Sequence, residues 1–353
     1  MRVAILAHEK FPDDAKTAVG VLRFADYEVT AVLDRDHAGE RVHDHLPDVQ
    51  DAPIVTGIDD VEESIDALIV GIAPIGGGFD ESWRPDVRGA LERGCDVIAG
   101  LHFFLRDDPE FSELAAEHGC DLVDVRRPPG DLTVSEGIAR DLDVEIVETV
   151  GTDCSTGKMT ATTALLEAAR ERGVDAGFVP TGQTGVLVDG SWGDADRSGI
   201  VVDRTVSDFA AGAVERMIRE RADDYDYLFV EGQGSITHPA YSGVTTSLLH
   251  GAMPDSLVLC HEAGREYVGG YEEFALAPPD EYVHLYERLA APVAETEIVA
   301  GSLNTHGLPD ERASSAIEAY ADAIDAPAAD PVRDLGSEAH AGDGIEVILE
   351  AIL

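Results

Sequence analysis

The chain has 353 residues, 44% of them hydrophobic, with 70 acidic side chains against 25 basic ones and a formal net charge of −45. Nucleic-acid phosphates and anionic membrane surfaces both recruit Lys and Arg, so a chain this acidic is expected to bind neither. The length allows two domains, each with its own core.

The acids are spread along the sequence as on a solvated, self-repelling surface, and with lysine almost absent they point to a halophilic, salt-adapted protein. Only Lys10, Lys16 and Lys158 remain beside the arginines. Cys95, Cys120, Cys154 and Cys260 show no CxxC spacing, which implies neither a zinc site nor a disulfide framework and fits a reducing compartment. The opening MRVAILAHEKF reads as a strand-like run too short for a signal peptide's apolar segment, and no run approaches the ~20 apolar residues of a membrane span. A cytoplasmic protein is expected.

In chain order, residues 1–140 alternate strands and helices. Strands are expected at Val3–Ala7, Glu28–Leu33, Pro53–Thr56, Ala67–Ile72, Asp96–Ala99 and Asp121–Asp124, with helices at Ala15–Phe24, Pro85–Arg93 and Phe111–His118. Short apolar runs separated by helices indicate a parallel sheet, a Rossmann-like α/β domain. The segment after the first strand, AHEKFPDDAKTA, lacks G-x-G-x-x-G, so no nicotinamide site is expected there. The cluster GIAPIGGGFD after the fourth strand reads equally as a flexible turn or as a substrate-contacting loop.

Arg126–Asp143, with its PPG, reads as a linker, and residues 141–353 form a second α/β domain. Its elements are a strand Val144–Val150, a Gly-rich loop, a helix Thr160–Arg172, a strand Ala176–Pro180 and a helix Asp208–Glu220. Strands Tyr227–Glu231, Ser256–Cys260 and Glu297–Ser302 and a terminal helix Gly344–Ile352 follow.

The loop VGTDCSTGKMT departs from the common P-loop: five residues separate Gly151 from Gly157, and Met159 stands where a magnesium-binding hydroxyl belongs. Its strand–loop–helix setting is nonetheless that of a P-loop. Successive N–H groups from Gly151 through Thr152, Asp153, Cys154, Ser155, Thr156 and Gly157, the helix dipole and Lys158 would cradle phosphates. Thr160 stands two places past the lysine as a substitute hydroxyl.

Three further loops carry chemistry-bearing residues. TGQTG brings Gln183 and Thr184, with small residues that admit close backbone approach to a ligand. EGQGSITHPAYSG brings Glu231, Gln233, His238 and Tyr241, a strand-end carboxylate beside a histidine suited to proton transfer. LCHEAGR brings His261 and Arg265, with Cys260 expected in the core because adjacent strand residues face opposite ways. Asn304 ends the last strand, and no Asn-Lys-x-Asp guanine signature occurs, so an adenine nucleotide is favoured.

GTD-x-x-x-GK resembles the loop of the dethiobiotin synthetase branch of P-loop proteins. Taken with AKTA (Ala15–Ala18), Asp34, GIAPIGG (Gly71–Gly77), GLHFFL (Gly100–Leu105), DVRRPP (Asp124–Pro129), DFAAGAVE (Asp208–Glu215), LNT (Leu303–Thr305) and the loops above, the whole chain resembles a family long catalogued as a domain of unknown function. Its characterised members are D-glutamate N-acetyltransferases of the DgcN type. The resemblance implies acetyl transfer from acetyl-CoA to the amino group of a small-molecule acidic amino acid, D-glutamate above all. Phosphates would lie on residues 151–160, and Asn304 would stand where this P-loop branch reads the purine.

On this reading Glu231 or His238 is the base, His261 orients the substrate, N–H donors from the Gln233 or Gln183 turns steady the oxyanion, and Thr184, Asp208 and Tyr241 line the substrate. Arg204, Arg265, Arg126 or Arg127 would hold its carboxylates, and no metal is expected. The alternative is an ATP- and Mg2+-dependent kinase or ligase, with Thr160 and Glu231 at the metal; a nucleotide-sensing module is a third reading. A homo-oligomer is expected by likeness to the dethiobiotin synthetase branch.

Overall fold

The computed structural model describes residues 1–72, 74, 77–192, 199–335 and 344–353. Two compact units form: Met1–Pro129 with Gln183–Asp194, and Gly130–Gly182 with Ala195–Leu353.

The first unit is built on β1 (Arg2–Leu6), α1 (Lys16–Phe24), β2 (Glu28–Leu33), β3 (Ile54–Val55), β4 (Ala67–Val70), α2 (Arg84–Glu92), β5 (Asp96–Ala99), α3 (Pro109–His118) and β6 (Leu122–Asp124). All pairings are parallel, in the order β3-β2-β1-β4-β5-β6, a Rossmann-like sheet. The run VAIL of β1 is wholly buried, as expected of a strand covered on both faces.

Strand β4 stops at Val70, short of the expected Ile72. A Cβ on Gly71 would lie 2.5 Å from Ile5 Cγ2 and 2.8 Å from Ala18 Cβ, so this glycine and AKTA are a close helix–sheet contact. In GIAPIGG, residues 73, 75 and 76 lie outside the described residues.

The second unit runs β7 (Glu145–Gly151), α4 (Lys158–Glu171) and β8 (Ala176–Val179). The chain then contributes α5 (Gln183–Asp189) to the first unit, where Thr184 Oγ1 lies 2.9 Å from Thr17 Oγ1. The second unit resumes with α6 (Ser207–Arg219), β9 (Tyr227–Val230), α7 (Ser242–Ala252), β10 (Ser256–Glu262), the hairpin β11 (Tyr267–Val268) and β12 (Tyr271–Ala275), and α8 (Pro279–Ala290). It ends with β13 (Glu297–Asn304), α9 (Asp310–Ile324), β14 (Ala328–Ala329), α10 (Pro331–Leu335) and α11 (Gly344–Ile352).

Its sheet is parallel throughout, ordered β14-β13-β10-β7-β9-β8. A parallel sheet sends every strand's carboxyl end to one edge. The P-loop therefore shares its edge with the ends of β8, β9, β10 and β13, where ligand sites of open α/β sheets gather. Helix α4 buries Leu165, Leu166 and Ala169 against this sheet, and each fully buried Leu contributes about 1.5–3 kcal/mol.

The stretch expected as a linker is fastened to α6. A Cβ on Gly212 would lie 2.0 Å from Thr133 O. The Glu215 carboxylate accepts from Ser135 Oγ and from the N–H groups of Glu136, Gly137 and Ile138 at 2.6–2.9 Å. Burial opposes this charge, but the donors outweigh it and hold the carboxyl below its ordinary pKa. The DFAAGAVE motif is thus an anchor. Among the described residues no helix is long and apolar enough to cross a membrane.

Candidate active site

The loop after β7 has the backbone of an anion cradle. Ser155 and Gly157 have φ of +56° and +97°, alternating handedness so that N–H groups turn inward, and Lys158 opens α4. Gly151 admits no side chain: a Cβ there would lie 2.8 Å from both Lys158 Nζ and Thr156 Oγ1. Lys158 is buried, its ammonium donating to Asp153 O across the loop at 2.7 Å, and Thr156 Oγ1 donates to the same carbonyl at 3.2 Å. These features fit a bound phosphate. Thr160 lies two residues on in α4, roughly 200° round the helix axis from Lys158.

Asp153, fully buried, is the hub of the site. Its Oδ2 accepts from Arg265 Nη1 at 2.9 Å and from Gly269 N–H at 2.8 Å, and its Oδ1 accepts from Cys154 N–H at 2.7 Å. Arg265 also donates to Cys154 O at 2.7 Å and pairs with Glu262. The arginine expected to hold substrate carboxylate is thus committed to the loop aspartate. Gly269, at the tip of the β11–β12 hairpin, ties that hairpin to the P-loop, a contact that no sequence pattern signals.

His238 is buried, its Nε2 3.9 Å from Asp153 Oδ1. Its Nδ1 accepts from Ala240 N–H at 3.1 Å, so the neutral ring carries its proton on Nε2, toward Asp153. The ring packs against Tyr241 and edge-on to Tyr271, at centroid distances of 4.6 and 5.3 Å. Desolvation lowers its pKa, Asp153 opposes that and Lys158 adds to it, leaving an uncharged ring near neutrality. One donor atom each from Asp153, Cys154 and His238 lie within 4.8 Å of one another.

Glu231, buried at the end of β9, accepts on Oε2 from Thr181 N–H at 3.1 Å and Gly182 N–H at 2.9 Å. A Cβ on Gly182 would lie 2.4 Å from Gln233 Nε2, which donates to Thr181 Oγ1 at 3.3 Å. Gly232 is equally obligatory: its Cβ would sit 1.6 Å from Thr149 O. Tight glycines thus bring the β8 and β9 loops together beside Lys158.

His261 bonds through Nδ1 to Thr152 Oγ1 at 2.8 Å and stacks on Tyr320. Burial, helped by Arg265, lowers its pKa to about 4, so it is a neutral hydrogen-bonding group. Cys260 lies in the core as expected, its thiol pushed up to about 12 by burial. Asn304 Oδ1 accepts from His306 N–H at 2.9 Å, and the neighbouring Thr305 is pinned by Asp330 and Arg333, a support the sequence reading missed.

The remaining candidates divide between the units. Tyr241 precedes α7 and is exposed, Asp208 is exposed in the first turn of α6, and Arg204 is exposed on the turn that Val202 N–H ties to Thr181 O at 2.9 Å. In the first unit, Gln183 opens α5, where TGQTG was read only as a loop, and a Cβ on Gly100 would lie 2.8 Å from its Cβ. Arg126 is buried and donates to Gly100 O at 2.6 Å, while Arg127 pairs with Asp107 and lies over Phe104.

Comparison with known proteins places this architecture. A family model described as "Domain of unknown function (DUF1611_C) P-loop domain" matches residues 133–339, and its partner, "Domain of unknown function (DUF1611_N) Rossmann-like domain", matches residues 35–128. A protein named D-glutamate N-acetyltransferase from Tritonibacter scottomollicae is 35% identical over 271 residues, covering 75% of this chain and 77% of that protein. A second of that name, from a Pseudoalteromonas species, is 33% identical over 270 residues, covering 76% and 78%. The crystal structure of a DUF1611 family protein from Anabaena variabilis superposes with a TM-score of 0.90 at 35% identity, over 99% of this chain and 98% of that one. The chain belongs to the DUF1611 family, with its Rossmann-like domain first and its P-loop domain second.

Proposed function

We propose that this chain is an N-acetyltransferase that uses acetyl-CoA to acetylate the amino group of an acidic amino acid, D-glutamate foremost. The observation that carries this reading is its similarity, at 35% and 33% identity over three quarters of the chain, to two proteins named D-glutamate N-acetyltransferase. The site supports it. The anion cradle suits the phosphates of coenzyme A, while Met159 in place of the hydroxyl that directly follows the lysine weakens the case for Mg2+-ATP, the competing kinase or ligase reading.

Lys158 and the N–H groups of residues 151–160 hold the phosphates. When bound, acetyl-CoA supplies the activated acetyl group. Glu231 is the base that receives the proton of the substrate ammonium. His238, with Nδ1 engaged by Ala240, acts as an Nε2–H donor, and Gln233 completes the polar wall. Arg204, exposed in the P-loop unit, is the cation offered to a substrate carboxylate.

Titration calorimetry in high salt tests the reading. Binding of acetyl-CoA that Lys158→Ala removes, followed by release of coenzyme A thiol with D-glutamate, supports it. Heat from Mg2+-ATP with none from acetyl-CoA overturns it.

A further inference from the structure

We infer that the first unit carries a binding site for a divalent transition metal of the zinc class, with His37, Glu40 and His45 as ligands. One donor atom from each lies within 4.8 Å of the others. His45 Nε2 is 2.6 Å from Glu40 Oε2, and the two imidazole rings stand 4.4 Å apart at 75°, converging without stacking.

What distinguishes this group from a chance surface cluster is the support behind His37. Its Nδ1 lies 2.6 Å from Oδ2 of Asp34, a fully buried carboxylate at the end of β2, whose Oδ1 accepts from Glu9 N–H at 2.5 Å. A carboxylate on Nδ1 sets the tautomer and leaves Nε2 as the ligating atom, the carboxylate–histidine–metal arrangement of protein metal sites. Asp34 sits where a Rossmann fold reads a ribose, but both its oxygens are committed to this support.

The Asp34 and Glu40 carboxylates each lie 2.6 Å from an imidazole nitrogen, and their negative field attracts a cation. The donor set chooses among cations. Two imidazoles with one carboxylate suit Zn2+, Co2+, Ni2+ or Fe2+, whereas Ca2+ and Mg2+ prefer all-oxygen shells. Three protein ligands also leave a coordination position open to water or to a small ligand. Phe11 walls the site, edge-on to His45 at 5.9 Å. A metal here would cross-link the long β2–β3 connection, which supplies all three ligands, and Asp34 would hold that cross-link at the end of β2. This site is independent of the acetyl-transfer reading.

The test is Zn2+ titration of the chelator-stripped full chain, with Co2+ spectroscopy in parallel. The double variant His37→Gln/His45→Gln is expected to bind one equivalent fewer than the native chain. Asp34→Asn is expected to bind that equivalent 10–100-fold more weakly. Glu40→Gln, at a half-exposed position, is the milder variant should the double one fold poorly, and it too should weaken binding. The cobalt spectrum of this equivalent should lack a thiolate charge-transfer band. Unchanged metal content in His37→Gln/His45→Gln and in Glu40→Gln overturns the proposal. So does an equivalent that vanishes only in Cys154→Ser, which would put the metal at the P-loop.

Discussion

The guanidinium of Arg265 lies 2.9 Å from the carboxylate of Asp153, and the same Nη1 donates at 2.7 Å to the carbonyl of Cys154. One side chain thus neutralises a buried acid and fixes the phosphate loop. Arg265→Gln is expected to lower unfolding stability in urea by about 2 kcal/mol, the worth of hydrogen bonds to a charged group. Arg265→Lys should restore little, because the planar guanidinium places Nη1 on Asp153 and Cys154 and Nη2 on Glu262 at once, which a single ammonium does not reproduce. A lysine variant indistinguishable from the native chain would refute this account.

Glu231 and His238 are expected to separate in kinetics. Glu231→Gln should lower kcat by about 10²–10⁴-fold with acetyl-CoA affinity unchanged, as loss of a general base does. His238→Gln should cost less, because the ring's Nδ1 is engaged by Ala240 and its Nε2 carries the proton. The reverse order, measured under saturating substrate, would transfer the base to His238.

Met159→Thr restores a hydroxyl directly after Lys158. It is expected to raise Mg2+-dependent ATP affinity measurably above the native chain while leaving Mg2+-independent acetyl-CoA binding in place. An ATP response already present in the native chain and unaltered by the substitution would contradict the proposed role of Met159.

Glu148 lies within β7, fully buried, and among the described residues neither carboxylate oxygen has a hydrogen-bond partner. Burial pushes its pKa up to about 8. The folded state therefore holds a proton that the unfolded state has released. Its contribution is fully present below the ordinary carboxylate range and is lost as pH rises through about 8. Glu148→Gln is expected to remove this loss and stabilise the protein at pH 8 by on the order of 3 kcal/mol. Parallel urea curves of both proteins between pH 5 and pH 8 check it, and curves that stay a constant distance apart would rule it out.

His261 has the opposite sign. Its folded pKa of about 4 lies below the ordinary histidine value, so the unfolded chain binds the extra proton first. Its contribution is present above the ordinary value and disappears as pH falls toward about 4. His261→Gln should flatten the acid limb of the stability profile between about pH 6.5 and pH 4, by on the order of 2 kcal/mol, which thermal melts across that range would register.

Much of the fold was legible from local pattern. Apolar, β-branched runs such as VAIL and YLFV mark buried strands, and Gly157 before Lys158 marks the turn into α4. The missed elements had different causes. Helix α7, SGVTTSLLHGA, is rich in weak helix formers and is held by its packing on α6 and β7. Helices α8 and α9 do carry a signal: a proline beside the helix start and two acids in the first turn. The β11–β12 hairpin, with two glycines at its turn, showed nothing of its bond to Asp153.

By itself the sequence determined the two parallel α/β sheets and the loops at their strand ends. Those depend on the alternation of short apolar runs with helices and on the spacing of glycines in the loops, which are properties of neighbouring residues, whereas the clashes that exclude a side chain at Gly71, Gly212 and Gly232 come from residues distant in the chain. Only the tertiary structure decided which groups meet. It committed Arg265 to Asp153, set the proton of His238 on Nε2, made His261 a neutral partner of Thr152 and placed α5 in the first unit. These outcomes rest on burial and on hydrogen bonds between residues distant in the chain, and desolvation, which no local motif encodes, sets the charge each group can carry.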